Sequence, residues 1–169
     1  VRNVEGRQFA GIDLVAAGVP CPPFSIAGKQ LGHKDERDLF PEVMRLVSEA
    51  KPRAVMLENV PGLASERFSR YRARLLSDLA QLGYRTDWRV LNASDFRVSQ
   101  LRPRFVLVAL REKDFGRFLW PAFLPPPPTV GQVLRKYMAK GGWPGAAGWA
   151  HDANGIAPTL VGGSKKHGG

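Results

Sequence analysis

Residues 53–62, Arg-Ala-Val-Met-Leu-Glu-Asn-Val-Pro-Gly, indicate which class of fold the chain adopts. Their apolar run ends at a Pro-Gly turn, which predicts a buried strand over residues 53–60. A second apolar run, Gly-Ile-Asp-Leu-Val-Ala-Ala at 11–17, predicts a short buried strand that ends before a proline-rich turn. Apolar residues then recur at helical spacing from Asp38 until Pro52 stops the helix. Because strand, helix and strand alternate, we expect an α/β fold with a mainly parallel sheet.

The next part of the chain continues this alternation. Helical spacing predicts a second helix over residues 66–82. Alternating polar and apolar residues predict a half-buried strand at 84–91, and an apolar run predicts the last strand at 104–110. A long polar loop joins these two strands, so antiparallel pairing between them would place one reversed strand in the sheet.

The composition of the chain changes after Trp120. A run of prolines at 125–128 predicts a stiff, extended connector. Thr129 and Gln132 match a capping box that opens a short helix, and the glycine-rich residues beyond it show little periodicity. We therefore expect residues 1–120 to form the core, with 121–169 as the connector and the beginning of a second element.

Charge and composition restrict the classes of function. The chain has 169 residues, about one ordinary domain. It carries 25 Lys and Arg residues against 15 Asp and Glu, a net charge of +10, which favours an anionic partner such as nucleic acid. A solvated basic face is the alternative. A single cysteine excludes a disulfide framework, and three scattered histidines predict no metal site. Without a membrane span or signal peptide in the sequence, we expect a cytoplasmic protein.

The single cysteine, Cys21, is a candidate nucleophile. It follows the first predicted strand, at the carboxyl edge where α/β sheets place their sites. Pro20 before it and Pro22 after it restrict the backbone on both sides, so the turn presents one thiol with little freedom. The alternative for a lone cysteine is a small buried apolar residue.

Two further motifs with polar side chains lie at the end or the start of other predicted strands. Glu58 ends an apolar strand at the same sheet edge, where we expect its carboxyl group to be partly withdrawn from water. The alternative for Glu58 is an exposed loop acid. Gln100, Arg102 and Arg104 alternate along an extended segment, and two arginines with an amide suit a phosphate or a base edge. The alternative for these three is a solvated pair of arginines.

Taken together, these motifs resemble those of the DNA (cytosine-5) methyltransferases, and they occur in the order of that family. The resemblance covers the chain from residue 1 to about residue 120. The matching segments are Gly-x-Pro-Cys-x-x-Phe-Ser at 18–25, Arg-Asp-Leu-Phe-Pro at 37–41, Glu-Asn-Val at 58–60, Asn-Ala-Ser-Asp-Phe at 92–96 and Gln-x-Arg-x-Arg at 100–104. One position departs from the family pattern, since Pro22 stands where the family most often has glutamine.

The resemblance implies a Rossmann-like fold that uses S-adenosylmethionine, of which this chain carries the C-terminal half of the catalytic domain. It also implies methyl transfer to C5 of cytosine in double-stranded DNA, on a base flipped out of the duplex. In that reaction Cys21 matches the thiolate that adds to C6 of the base. Glu58 matches the acid at N3, and Arg102 and Arg104 match residues that hold the base.

The same resemblance gives expectations for binding residues. Pro20 and Leu39 match only the edge of the cofactor site, and we expect the main cofactor-binding loop to be absent from this chain. Ser25, Lys29 and Gln100 match positions that contact DNA. We therefore expect the chain alone to be inactive, and a partner chain that supplies the cofactor half is an alternative arrangement. Residues 156–164 resemble the opening of a target-recognition region.

Two other functions stay open at this point. One is the branch of the same family that methylates tRNA. The other is a non-catalytic DNA-binding subunit or fragment. The basic, arginine-rich composition with a recognition region favours DNA, which would place the protein at the nucleoid.

Overall fold

The computed structural model describes residues 1–20 and 38–160. Four strands form one sheet: β1 (Leu14–Gly18), β2 (Ala54–Asn59), β3 (Tyr84–Asn92) and β4 (Pro103–Arg111), in the order β1-β2-β4-β3. β1 pairs with β2 in parallel, and β4 pairs with β2 in the antiparallel direction. The α/β fold predicted from the sequence is therefore confirmed, and β4 runs in the reverse direction relative to β2.

Two helices follow the boundaries expected from the sequence. Helix α1 (Phe40–Ala50) carries a proline in its first turn, and the Asp38 carboxylate accepts a hydrogen bond from the Phe40 amide at 3.0 Å. Helix α2 (Ser69–Gln81) follows a short 3₁₀ turn, and the chain leaves it through Gly83 at φ 83°, a conformation that favours glycine.

The described chain contains three shorter α-helices in addition to short 3₁₀ turns. They are α3 (Glu112–Phe115), α4 (Val130–Met138) and α5 (Ala146–Asp152). The capping box of α4 is present as predicted: Thr129 and Gln132 each accept a hydrogen bond from the backbone N–H of the other. Helix α5 lies in the glycine-rich region, whose low periodicity did not predict a helix.

The chain divides into two compact units. The first consists of Val1–Leu91 with Arg104–Trp120, and the second of Asn92–Pro103 with the chain from Pro121 onward. The first unit contains the sheet core and the two long helices. Its centre is built from buried apolar side chains, among them Phe40, Val43, Val47, Val55, Leu57, Leu75, Leu79, Phe105 and Leu107.

The first strand differs from its prediction. It begins at Leu14 rather than at residue 11, and its side chains alternate between exposed and half-buried, with Leu14 49% exposed. The expectation of a buried strand was wrong because, within the part of the chain that the structure describes, β1 pairs only with β2 and stands at the edge of the sheet.

None of the described helices is long and apolar enough to cross a bilayer.

Candidate active site

The ends of β1 and β2 bring two predicted motifs to the same edge of the sheet. Gly18 is the register partner of Glu58, because the two strands run in parallel. The Glu58 carboxylate lies close to Gly18: a Cβ atom built on that glycine would be 3.4 Å from Glu58 Oε2. Cys21 follows Gly18 by three positions in the sequence. Cys21 itself lies outside the described residues, as do Ser25 and Lys29.

A charge-assisted contact joins Glu58 to Arg104. Glu58 Oε1 and Arg104 Nε are 2.7 Å apart, and the two side chains are 42% and 21% exposed. The reversed direction of β4 explains this contact. Phe105 is the register partner of Asn59, so the start of β4 lies beside the end of β2. Since the pair is partly exposed, its main effect is to orient the carboxylate rather than to stabilise the fold.

The residue after Glu58 is a buried polar side chain. Asn59 is 2% exposed. Its Nδ2 donates a hydrogen bond to the Val19 carbonyl at 3.2 Å, and its Oδ1 accepts one from the Val60 amide at 2.8 Å. A buried amide needs such partners, because leaving it unpaired is costly. Asn59 thus ties the end of β2 to the backbone just before Pro20.

Gln100 and Arg102 belong to the second unit, whereas Arg104 lies in the first. Gln100 forms a parallel bridge with Ala157, and the Leu101 amide donates to the Ala157 carbonyl at 2.7 Å. The Arg102 amide donates to Asn92 Oδ1 at 2.8 Å. The backbone that carries Gln100 and Arg102 is therefore fixed by contacts within its own unit. The sequence pattern did not reveal the role of Asn92.

The predicted cofactor-edge residues are both apolar. Pro20 is exposed, and Leu39 is partly buried against the core beside the start of α1. Neither carries a side-chain polar group that could bind a ribose or an adenine. Within the described ranges, no group of His, Cys, Asp and Glu is arranged as metal ligands would be.

Asn59 was part of a motif in the sequence, but its hydrogen bond to Val19 was not predicted. One signal was available, since an asparagine inside a buried strand must satisfy its amide. What the sequence does not give is the partner, because the hydrogen bond spans 40 residues of chain.

Solved structures share this fold. Spodoptera frugiperda DNMT2 matches with a TM-score of 0.54 and 21% identity, over 72% of this chain and 39% of its own. The Entamoeba histolytica methyltransferase EhMeth matches with a TM-score of 0.55 and 16% identity, over 71% and 38%. The prediction that the chain forms part of a Rossmann-like methyltransferase fold is confirmed.

Sequence similarity extends over almost the whole chain. The chain is 59% identical to the type II methyltransferase M.NaeI of Lentzea aerocolonigenes, over 96% of this chain and 39% of that protein. It is 51% identical to the type II methyltransferase M.NgoMIV of Neisseria gonorrhoeae, over 95% of this chain and 52% of that protein. Residues 1–152 match the family described as C-5 cytosine-specific DNA methylase. The chain therefore belongs to the C-5 cytosine-specific DNA methylases.

Proposed function

We propose that the protein carrying this chain transfers a methyl group from S-adenosylmethionine to C5 of cytosine in double-stranded DNA. The observation that supports this most is the Glu58–Arg104 contact at 2.7 Å, beside the strand that leads to the only cysteine of the chain. Membership of the family supplies the reaction class. The chain spans 39% of the length of M.NaeI and 52% of the length of M.NgoMIV. We therefore propose the activity for the whole protein that carries this chain.

Cytosine C5 is a poor nucleophile, and the proposed role of Cys21 is to activate it. The thiolate adds to C6 of a base flipped out of the duplex, which raises the electron density at C5. Because a free thiol has a pKa of about 8.5, only a small fraction is thiolate at neutral pH. Nearby cations or contact with the substrate would increase this fraction.

Glu58 and Arg104 have complementary proposed roles. The Glu58 carboxyl group interacts with N3 of the base and stabilises the adduct as charge develops there. The Arg104 guanidinium fixes the orientation of that carboxyl group through the 2.7 Å contact. Arg102 is proposed to hold the base or its surroundings, and its fixed backbone amide supports that role.

S-adenosylmethionine supplies the methyl group when bound, and Pro20 and Leu39 are proposed to contact its edge. Loss of the C5 proton then lets the cysteine leave by elimination. Ser25, Lys29 and Gln100 are proposed DNA contacts, in keeping with a net charge of +10. We propose residues 1–120 as part of the catalytic domain and 121–169 as the connector and the start of the target-recognition region.

A comparison of substrates tests this function. The full-length protein is incubated with labelled S-adenosylmethionine and either duplex DNA or tRNA. We expect label at cytosine C5 in DNA only. Label in tRNA alone would reject the DNA assignment, and label in neither, with DNA binding retained, would favour a non-catalytic DNA-binding protein.

Replacement of the nucleophile gives the first prediction. Cys21→Ser should reduce methyl transfer to background while DNA affinity stays nearly unchanged, because serine keeps the shape but is a far weaker nucleophile. Filter binding and a methylation assay on the same preparation check this. Methyl transfer at the wild-type rate in Cys21→Ser would reject the mechanism.

A further inference from the structure

Asn59 differs from its neighbours in β2, because it is a polar side chain 2% exposed in a strand with an apolar buried face. Its amide nitrogen and oxygen have separate partners. The nitrogen donates to the Val19 carbonyl on the adjacent chain segment, and the oxygen accepts from the Val60 amide in its own segment. Packing alone would be served by an apolar residue of similar size, so the buried amide calls for another reason.

The location of these hydrogen bonds gives that reason. Val19 follows the last residue of β1 and stands two positions before Cys21 in the sequence. Val60 follows β2 and stands two positions after Glu58. One side chain therefore fixes the chain where it leaves β1 towards the cysteine and where it leaves β2 after the glutamate.

We propose that Asn59 is a positioning residue that holds the chain segment leading to Cys21 at a fixed distance from Glu58. This inference rests on the proposed function. The thiol and the acid must reach two atoms on opposite sides of one pyrimidine ring, C6 and N3, so a small shift between their two segments misaligns the reaction. Asn59 need not contact the substrate, since it acts through the Val19 carbonyl.

The rival explanation is that Asn59 only stabilises the fold. Tyr84 provides a matched control at the other end of β2. Its hydroxyl donates to the Pro52 carbonyl at 2.6 Å, and this contact is also a buried side-chain hydrogen bond to a backbone carbonyl between distant parts of the chain. Tyr84→Phe removes that bond without touching the carboxyl end of the sheet.

The experiment compares Asn59→Ser and Tyr84→Phe in the full-length protein. Serine keeps an acceptor for the Val60 amide but is too short to reach Val19. We expect the single-turnover rate of methyl transfer to fall about 10-fold to 100-fold in Asn59→Ser, with DNA affinity unchanged and Tyr84→Phe as fast as wild type. Asn59→Thr, which also lacks the amide donor but suits a strand, should reproduce the loss if Asn59→Ser does not fold. A rate for the Asn59 variant equal to that of Tyr84→Phe would overturn the inference.

A second readout separates this inference from the proposed function. Cys21 is the only cysteine of the chain. In a full-length protein in which any other cysteine is replaced by serine, the rate of alkylation by iodoacetamide therefore reports on the segment that carries Cys21. We expect Asn59→Ser to change the alkylation rate and its pH profile, while Tyr84→Phe leaves both unchanged. If the wild-type protein methylates no DNA, the proposed function fails, and alkylation still decides the inference: equal rates in all three proteins would reject it.

Discussion

At the scale of single residues, the contact between Arg104 and Glu58 depends on geometry more than on charge. The guanidinium Nε lies 2.7 Å from the carboxylate, at the point where β4 begins beside the end of β2. Arginine presents planar donors in a fixed arrangement, whereas lysine presents a mobile point charge. The orientation of the Glu58 carboxyl group should therefore require arginine at this position.

Arg104→Lys tests that requirement. We predict a fall in single-turnover methyl transfer of about 10-fold or more, because the carboxylate loses its fixed partner. The free energy of unfolding should change by less than about 1 kcal/mol, because the pair is partly exposed. Arg53→Lys is the control. Arg53 lies just before β2 and also pairs with carboxylates, those of Asp13 and Asp114, but at the other end of the strand from Glu58. Equal rates in the two variants would contradict the orienting role.

Tyr71 gives a prediction for pH. Two causes raise the pKa of the Tyr71 phenol above its usual value of 10.0. The larger is burial, and the smaller is the hydrogen bond that the phenol donates to Asp38 Oδ2 at 2.7 Å. The folded protein thus holds this proton more tightly than the unfolded chain does. Its contribution to stability is fully present below the unfolded pKa and is lost as the pH rises above it.

Urea unfolding at about pH 8 and about pH 11 measures this effect. The free energy of unfolding should fall between the two values in the wild type, and by less in Tyr71→Phe. Some pH dependence should remain in the variant, because burial also raises the pKa of Tyr84. An equal fall in both proteins would show that Tyr71 does not carry the predicted contribution.

In the candidate site, the sequence predicted individual residues but not the partners of their hydrogen bonds. Residue type and position at the end of an apolar strand were enough to select Glu58, and alternation was enough to select Arg104. The partners of Asn59 and Asn92 could not be predicted, because each hydrogen bond joins segments that only the folded sheet and its loops bring together. Cys21 stays a prediction from its motif.

At the scale of elements, the packing of α4 on α5 depends on one glycine. A Cβ atom on Gly131 would fall against the backbone carbonyl of Ala150, which cannot move like a side chain. Gly131→Ala should therefore destabilise the second unit by about 1–3 kcal/mol. Gly148 in α5 has open space around its Cβ position, so Gly148→Ala should be neutral or stabilising by up to about 1 kcal/mol.

Thermal unfolding of the two glycine variants checks this prediction. A lower midpoint for Gly131→Ala alone is the expected result. If both variants, or neither, lower the midpoint, the close approach of α4 and α5 does not control stability.

Local chemistry explains which elements were predictable. The capping box of α4 was visible because its two side chains act within four residues. Helix α5 was missed because its seven residues are too few to show periodicity, and no side chain caps its start. The exposure of β1 could not be read from its apolar sequence, because exposure depends on the position of the strand in the sheet.

At the scale of the whole molecule, the polar segment between β3 and β4 belongs to the second compact unit rather than to the sheet unit. It is held there by the bridge between Gln100 and Ala157 and by the hydrogen bond from Thr159 Oγ1 to the Leu101 carbonyl at 2.7 Å. Pairing across nearly 60 residues leaves no local signal in the sequence. The functional assignment of 1–120 and 121–169 stays a prediction.

The proposed reaction begins when Cys21 attacks a cytosine in duplex DNA. The most direct test uses duplex DNA with 5-fluorocytosine at the target position, S-adenosylmethionine and the full-length protein. Fluorine cannot leave as the C5 proton does, so elimination stops and the covalent complex accumulates. Mass spectrometry should find the modified nucleotide on the Cys21 peptide, only when S-adenosylmethionine is present. A complex attached to any other residue, or no complex under conditions where normal DNA is methylated, would contradict the account.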